Sequence, residues 1–261
     1  MTTFRVPAWF ALILLGVSGA YAAEGFPGRP QYPDVEIIEL QDLYNQFDKV
    51  AIIDVRSEYE YETLRIKNAI NIPVAHTSFS KDIRNIRSVT NKPLVFYCNG
   101  HSCMKSYKAA RKAKLAKVPS CYAFDAGVFD WAKTYPKDTV LLGKELRDAN
   151  RLISGKKFTA HQLGPKEFAK RVGPSTMVID VRDSYQRAAV GLFPFEEKWI
   201  PLSQKGRLSD HIDRAKRNGK TLLIYDEVGK QVRWLQYRLE QAGVKKYYFM
   251  KGGASAYIDS I

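Results

Sequence analysis

The chain has 261 residues, 45% of them hydrophobic and 26% charged, which leaves room for two domains with their own cores and excludes a disordered or fibrous chain. Its formal charge of +14 is uneven, with +3 over residues 33–136 and +10 over 137–261. No aromatic-basic nucleic-acid motif accompanies that excess, so nucleic acid is not expected; the basic second half reads as a solvated surface or a contact for an acidic protein or membrane surface.

At the amino terminus Arg5 precedes an apolar run from Val6 to Val17, and Ala20-Tyr21-Ala22 forms an A-x-A site before Ala23. This predicts a signal peptide over residues 1–22, cut near Ala22-Ala23, and a periplasmic or secreted mature chain. The apolar run is short for a membrane span. Residues 24–34 hold Gly25, Pro27, Gly28, Pro30 and Pro33 and read as an extended leader.

A short strand at Val35–Ile38 and a helix from Leu40 to Phe47 follow, then Ala51 to Val55 as a buried strand that stops at Arg56. Ser57 to Leu64, with Glu58, Glu60 and Glu62, reads as a short polar helix, and Ala69 to Pro73 as a short strand. Residues 79–91 carry Ile83, Ile86 and Val89 at helical spacing. Pro93 to Cys98 is a further buried strand. A polar turn and a helix over 105–118 come next, then a strand Cys121–Phe124, Gly127 and a helix containing Trp131. From Lys137 to Leu163 the rhythm is lost, and Leu141 to Ile153 reads as a connecting helix.

The first pattern then returns. Met177 to Arg182 repeats Ala51 to Arg56, Thr221 to Asp226 repeats the strand ending in Cys98, and Tyr247 to Gly253 repeats the segment that begins at Cys121. The offsets are 126, 128 and 126 residues, the mark of tandem copies. Strands alternating with helices imply an α/β fold, each copy a mainly parallel central sheet with helices on both faces. The organisation expected is a first domain over 33–136, a linker over 137–159 and a second domain over 160–261.

Only three cysteines are present, Cys98, Cys103 and Cys121. That is no disulfide scaffold, and the odd count leaves at least one thiol unpaired. Cys98 ends a buried strand and opens a tight loop before a helix, the sheet edge where α/β folds bind ligands. Loop amides and a helix N-terminus favour an anion there, and a thiol in that field is expected to have a lowered pKa.

The string Asp54-Val55-Arg56, Glu60-Tyr61, Ala69-Ile70-Asn71-Ile72-Pro73 resembles the D-V-R…E-Y…G-H-I-x-G-A-x-N-I-P signature of the rhodanese superfamily in its two-domain form. Tyr97-Cys98, Ala109-Ala110, Gly127 and Trp131 are similar to the family's later pattern. Leu64-Arg65 replaces the usual Gly-His, and Asn68 the later glycine. The resemblance spans roughly 33–135 and, more weakly, 160–261. It implies that Cys98 is the catalytic residue, accepting a sulfane sulfur from thiosulfate or a persulfide and passing it to a thiol or other nucleophile without a cofactor. It further implies that Asn99, Gly100, His101, Ser102, Cys103, Met104 and Lys105 bind the anionic donor, with Asp54 and Arg56 near the mouth. Asp226 stands at the cysteine's position in the second copy, so that copy is expected to be silent.

The loop departs from the common rhodanese form in being longer, which suits a bulkier donor than thiosulfate. Met104 stands six places after Cys98, where related thiol phosphatases need an arginine to clamp phosphate. Three readings of Cys98, His101 and Cys103 stay open at this point. In one, Cys98 carries a persulfide and Cys103 resolves it or forms a reversible disulfide with it. The others are a soft site for copper(I) or zinc, and a non-catalytic or redox-responsive binding module oxidised at rest. No metal is expected in the first of these readings, which the sequence favours.

Overall fold

A computed structural model describes residues 25–187 and 191–261; the expected signal peptide lies outside them. Leu94–Tyr97 is buried at every residue, and Thr221–Tyr225 at every residue but the first, as central strands of a parallel sheet covered on both faces must be. The first copy has five parallel strands in the order Glu36–Ile37, Cys121–Phe124, Leu94–Tyr97, Ala51–Asp54, Ile70–Asn71. The second has Gln162–Leu163, Tyr247–Met250, Thr221–Tyr225, Thr176–Asp180, Glu197–Trp199 in the same spatial order. The tandem α/β architecture expected from the sequence repeat is therefore present.

Register sets the functional edge. Asp54 lies opposite Tyr97, and Tyr97 opposite Phe124, so three strands release their chains at one end of the sheet, at Val55, Cys98 and Asp125. Cys121 begins its strand beside Leu94, at the far end from Cys98. The same edge in the second copy pairs Asp180 with Tyr225.

The outer face of the first sheet packs Ile53 and Phe96 against Phe79, Ile83, Tyr107 and Ala110. The outer face of the second gathers Phe168, Val178, Leu223 and Tyr225. Between the sheets a single apolar cluster contains Ile52, Val95 and Trp131 from the first copy and Ile179, Leu222, Trp234 and Phe249 from the second. The copies thus share one core, and neither can leave without exposing it to water.

Two expectations for the connecting segments are corrected. Over its described part, residues 25–34, the expected extended leader is not extended: Gly28–Gln31 forms one helical turn, tied down by Arg29 Nε donating to Asp125 Oδ2 at 2.8 Å. The connecting helix over Leu141–Ile153 is also absent. Thr139–Leu141 and Lys144–Glu145 form a hairpin that pairs antiparallel with Leu64–Ile66, so the first part of the 137–159 linker belongs to the first copy. Alternation in Thr139-Val140-Leu141 followed by a turn at Gly143 was the overlooked strand signal. Gly155–Thr159 is a separate helical turn with Ser154 as its cap. No helix among the described residues is long and apolar enough to cross a membrane.

Candidate functional site

The chain enters the loop at Cys98, whose side chain is fully buried. The loop is pinned from below, with Val128 N donating to Cys98 O at 2.9 Å and Cys103 N to Gly100 O at 2.8 Å. Gly127 makes this approach possible: its φ is +68°, and a Cβ there would lie 2.4 Å from the Gly100 nitrogen. The helix Lys105–Leu115 starts directly after the loop, with buried Ser106 placing Oγ 3.9 Å from Cys98 Sγ.

The Cys98 thiol donates to the Cys103 carbonyl at 3.1 Å, and its side chain is also a hydrogen-bond partner of the Cys103 sulfur. Burial, followed by the neighbouring Cys103 sulfur, pushes the Cys98 thiol well above its ordinary pKa despite the Ser106 and Gly100 amides. Cys103 is held down at about 6, first by the hydrogen bond from Cys98, with help from the Lys105 and Asn99 amides and the Lys105 charge. This corrects the expectation of a lowered Cys98. The loop does stabilise a thiolate, but on the partly exposed sulfur. Desolvation is smaller there and the buried neighbour supplies a proton.

Asp54 and Arg56 form a fully buried ion pair, with Arg56 Nε donating to Asp54 Oδ1 at 2.9 Å and Nη2 to Asp54 Oδ2 at 2.6 Å. Arg56 Nη1 reaches Asn99 Oδ1 at 3.1 Å, and Asn99 Nδ2 donates to Glu60 Oε1 at 3.0 Å. Glu60 is buried and also accepts from the Ser57 hydroxyl at 2.9 Å. Burial alone would raise its pKa, yet Arg56, Lys105, Asn99 and Ser57 together hold it below the usual value. A rigid polar chain therefore runs from the Asp54 strand end to the first loop residue, and the pair acts by positioning Asn99.

Asn99 through Lys105 all line one cavity of about 880 Å³. His101 does not turn toward the two sulfurs. Its Nε2 lies 2.6 Å from Asp130 Oδ2 and its ring stacks on Phe26 at 4.1 Å. Cys98 is not on the cavity wall, whereas Cys103 is. Lys108 also lines it. The far wall was not anticipated. It comes from the second copy, as Lys230, Gln231, Arg233 and Trp234, with Phe129 and Asp130 of the first copy beside them. Trp234 stacks on Phe129 at 5.3 Å and lies 5.1 Å from the Arg56 guanidinium. The repeat itself carried a signal for this wall, since these residues follow Asp226 as the lining residues follow Cys98.

In the second copy Asp180 and Arg182 repeat the buried pair, and Gly253, at φ +64°, repeats Gly127 with its Cβ position 2.5 Å from Asp226 O. Asp226 turns its carboxylate into its own loop, accepting from the amides of Gly229, Gln231 and Val232. The anion cradle is intact but filled by the chain itself.

Residues 39–134 match the model of the Rhodanese-like domain, so this part of the chain carries a rhodanese-like domain. It is similar to a probable molybdopterin-synthase adenylyltransferase of Porphyra purpurea, 30% identical over 95 residues. That match covers 35% of this chain and 24% of the relative, so the chain spans about a quarter of the curated protein it matches. Among solved structures it is similar to a thiosulfate sulfurtransferase from Pseudomonas aeruginosa, 14% identical over 87% of this chain and 42% of that one, with a TM-score of 0.40. It is likewise similar to an As–Sb reductase from Leishmania major, 21% identical over 41% of this chain and 86% of that one, TM-score 0.37.

Proposed function

We propose that the chain is a rhodanese-type sulfurtransferase, in which Cys98 takes a sulfane sulfur from a small anionic donor and yields it to a nucleophilic acceptor. The observation that carries this reading is the strand-end loop, where the buried Cys98 thiol donates to the Cys103 carbonyl at 3.1 Å beside the Gly100 and Ser106 amides. A buried thiol with a raised pKa is a poor nucleophile by itself. Cys103 supplies the missing base. As the donor's sulfane sulfur approaches, the Cys98 proton passes to the Cys103 thiolate, and the Cys98 sulfur attacks. The bond between the sulfane sulfur and its carrier breaks, the carrier leaves with the electron pair, and Cys98 becomes a persulfide anion. With thiosulfate the leaving group is sulfite, and charge balances on both sides.

The fixed amides of Gly100 and Ser106 offset the new negative charge without reorganising, the usual advantage of such a cradle. The acceptor then attacks the outer sulfur and releases the Cys98 thiolate, which recovers its proton from Cys103. Intact mass of the reduced protein after incubation with thiosulfate tests the reading. One added sulfur on a peptide containing Cys98, lost again on addition of a nucleophilic acceptor, is the expected result. A protein that gains no sulfur from thiosulfate or from a low-molecular-weight persulfide is not a sulfurtransferase of this kind.

A further inference from the structure

A small inorganic anion would leave most of an 880 Å³ cavity to water, since cavities of this size suit organic ligands. The wall opposite the thiols has its own chemistry. Arg233 lies over Phe129 at 4.4 Å, donates through Nη2 to the Ile153 carbonyl at 3.2 Å, and has a buried Nε with no hydrogen-bond partner. No carboxylate pairs with it among the described residues, and burial lowers its pKa. Lys230, an exposed loop residue, is also without an ion pair among them. Of the other charges at the cavity, Lys133 is engaged with Asp130 at 3.2 Å, His101 with Asp130 and Lys105 with Glu60 at 3.8 Å, while Lys108 lies on the opposite wall, beside the thiol loop. A partly buried guanidinium without a counter-charge is unfavourable until an anion meets it.

We infer that the second copy is the substrate clamp of the first: Arg233 and Lys230 bind a carboxylate of an organic sulfur compound whose body lies along Phe129 and Trp234 and whose sulfur end faces the Cys103 loop. The inference rests on the sulfurtransferase reading for the identity of the reacting end, and the binding of a second anionic group stands apart from it. The substrate class is a peptide-sized thiol derivative, such as a persulfide or S-sulfonate bearing carboxylates. This gives the silent copy a task in the reaction. With Asp226 filling its own cradle, its loop is fixed in shape and presents Lys230 and Arg233 outward.

The test uses the reduced full-length protein and two unreactive probes, inorganic sulfate and glutathione sulfonate, titrated by calorimetry. Glutathione sulfonate is expected to bind at least about tenfold more tightly than sulfate, as one added charge-assisted hydrogen bond provides. Lys230→Ala and Arg233→Met should each weaken it by about tenfold while leaving sulfate within about twofold. Arg233→Met keeps the apolar stem over Phe129, and Lys230 is exposed, so the pair separates lost charge from lost folding. Equal affinity for the two probes, or variants that bind glutathione sulfonate like the parent, would overturn the clamp. Sulfur uptake from thiosulfate by the same variants reports on the chemistry alone: unchanged uptake with weakened sulfonate binding is the expected split. If the parent takes up no sulfur yet binds the sulfonate through Arg233, the transferase reading fails and the clamp stands.

Discussion

The loops after Tyr97 and after Tyr225 begin at the same register position and close on equivalent glycines, Gly127 and Gly253, yet one holds a thiol pair and the other a carboxylate. The Asp226 loop shows what the cradle is built to hold, because three of its amides converge on a carboxylate that the chain supplies. Burial raises the pKa of Asp226, and those amides, with that of Val228, oppose the rise. The Cys98 loop keeps the same frame without the internal anion, so its donors are left for a charge that arrives. The difference also separates two uses of one fold: a cradle closed on itself stiffens a wall, and one left open binds and reacts.

The most direct way to break the comparison is to write the second loop into the first. Cys98→Asp should draw its carboxylate toward the Gly100 and Ser106 amides, abolish sulfur uptake and leave thermal stability at or above that of the parent. Intact mass after thiosulfate and a melting curve read both outcomes. A Cys98→Asp protein that still gains sulfur would move the chemistry to Cys103 and end the analogy between the loops. Cys121→Ser is the matched control. Cys121 sits at the opposite end of the sheet, where burial pushes its thiol up to about 11, and uptake should be unchanged.

A second way is to separate the copies. Trp234 is buried against Phe129 and the Arg56 guanidinium, so Trp234→Ala should cost about 3 kcal/mol or more in denaturant unfolding. Removal of residues 160–261 should do more, because it strips half of the shared core. A 24–140 fragment with the parent's melting temperature and full uptake would show that the copies are independent, and that the second acts elsewhere.

Much of this was legible in the sequence because the informative patterns were local. Runs such as Leu94–Tyr97 and Thr221–Tyr225 specify buried parallel strands, and their offsets reveal the tandem copy before any contact is known. The thiol pair was equally visible, as Cys98 and Cys103 share one turn. What the sequence hid was three-dimensional. Nothing local in Thr139–Glu145 says that it will pair with Leu64–Ile66, a partner more than seventy residues away. Nor does a cysteine's place at a strand end say how deeply it is buried, and burial decided which sulfur holds the proton. The far wall escaped for the same reason. Arg233 and Trp234 meet the first loop only once two sheets have packed face to face.

The comparison can be sharpened last at the one atom with no counterpart in the second loop. Cys103 is held down at about 6 by its contact with Cys98 and by the Lys105 and Asn99 amides, so its thiolate form is favoured at neutral pH. Its alkylation should climb with pH through about 6 and then flatten, at a neutral-pH rate about two- to threefold that of an ordinary thiol, while Cys121 keeps climbing well into alkaline solution. Cys98 should label much more slowly than Cys103, because burial pushes its thiol well above the ordinary range. Two sulfurs that share a proton across one turn are also poised to share a bond. Exchange with an external disulfide, in which the Cys103 thiolate displaces one half and Cys98 then displaces the other, passes two electrons and the shared proton to that disulfide, joins Cys98 to Cys103 and removes both base and carrier together. In an oxidising compartment such a bond can persist. Mass mapping of non-reduced protein should then find the two cysteines linked, with uptake restored by a dithiol reductant. Free thiols throughout, with uptake indifferent to reductant, would leave a sulfurtransferase without a redox gate. A Cys103 that labels no faster than Cys121 at neutral pH would remove the base from the mechanism as well.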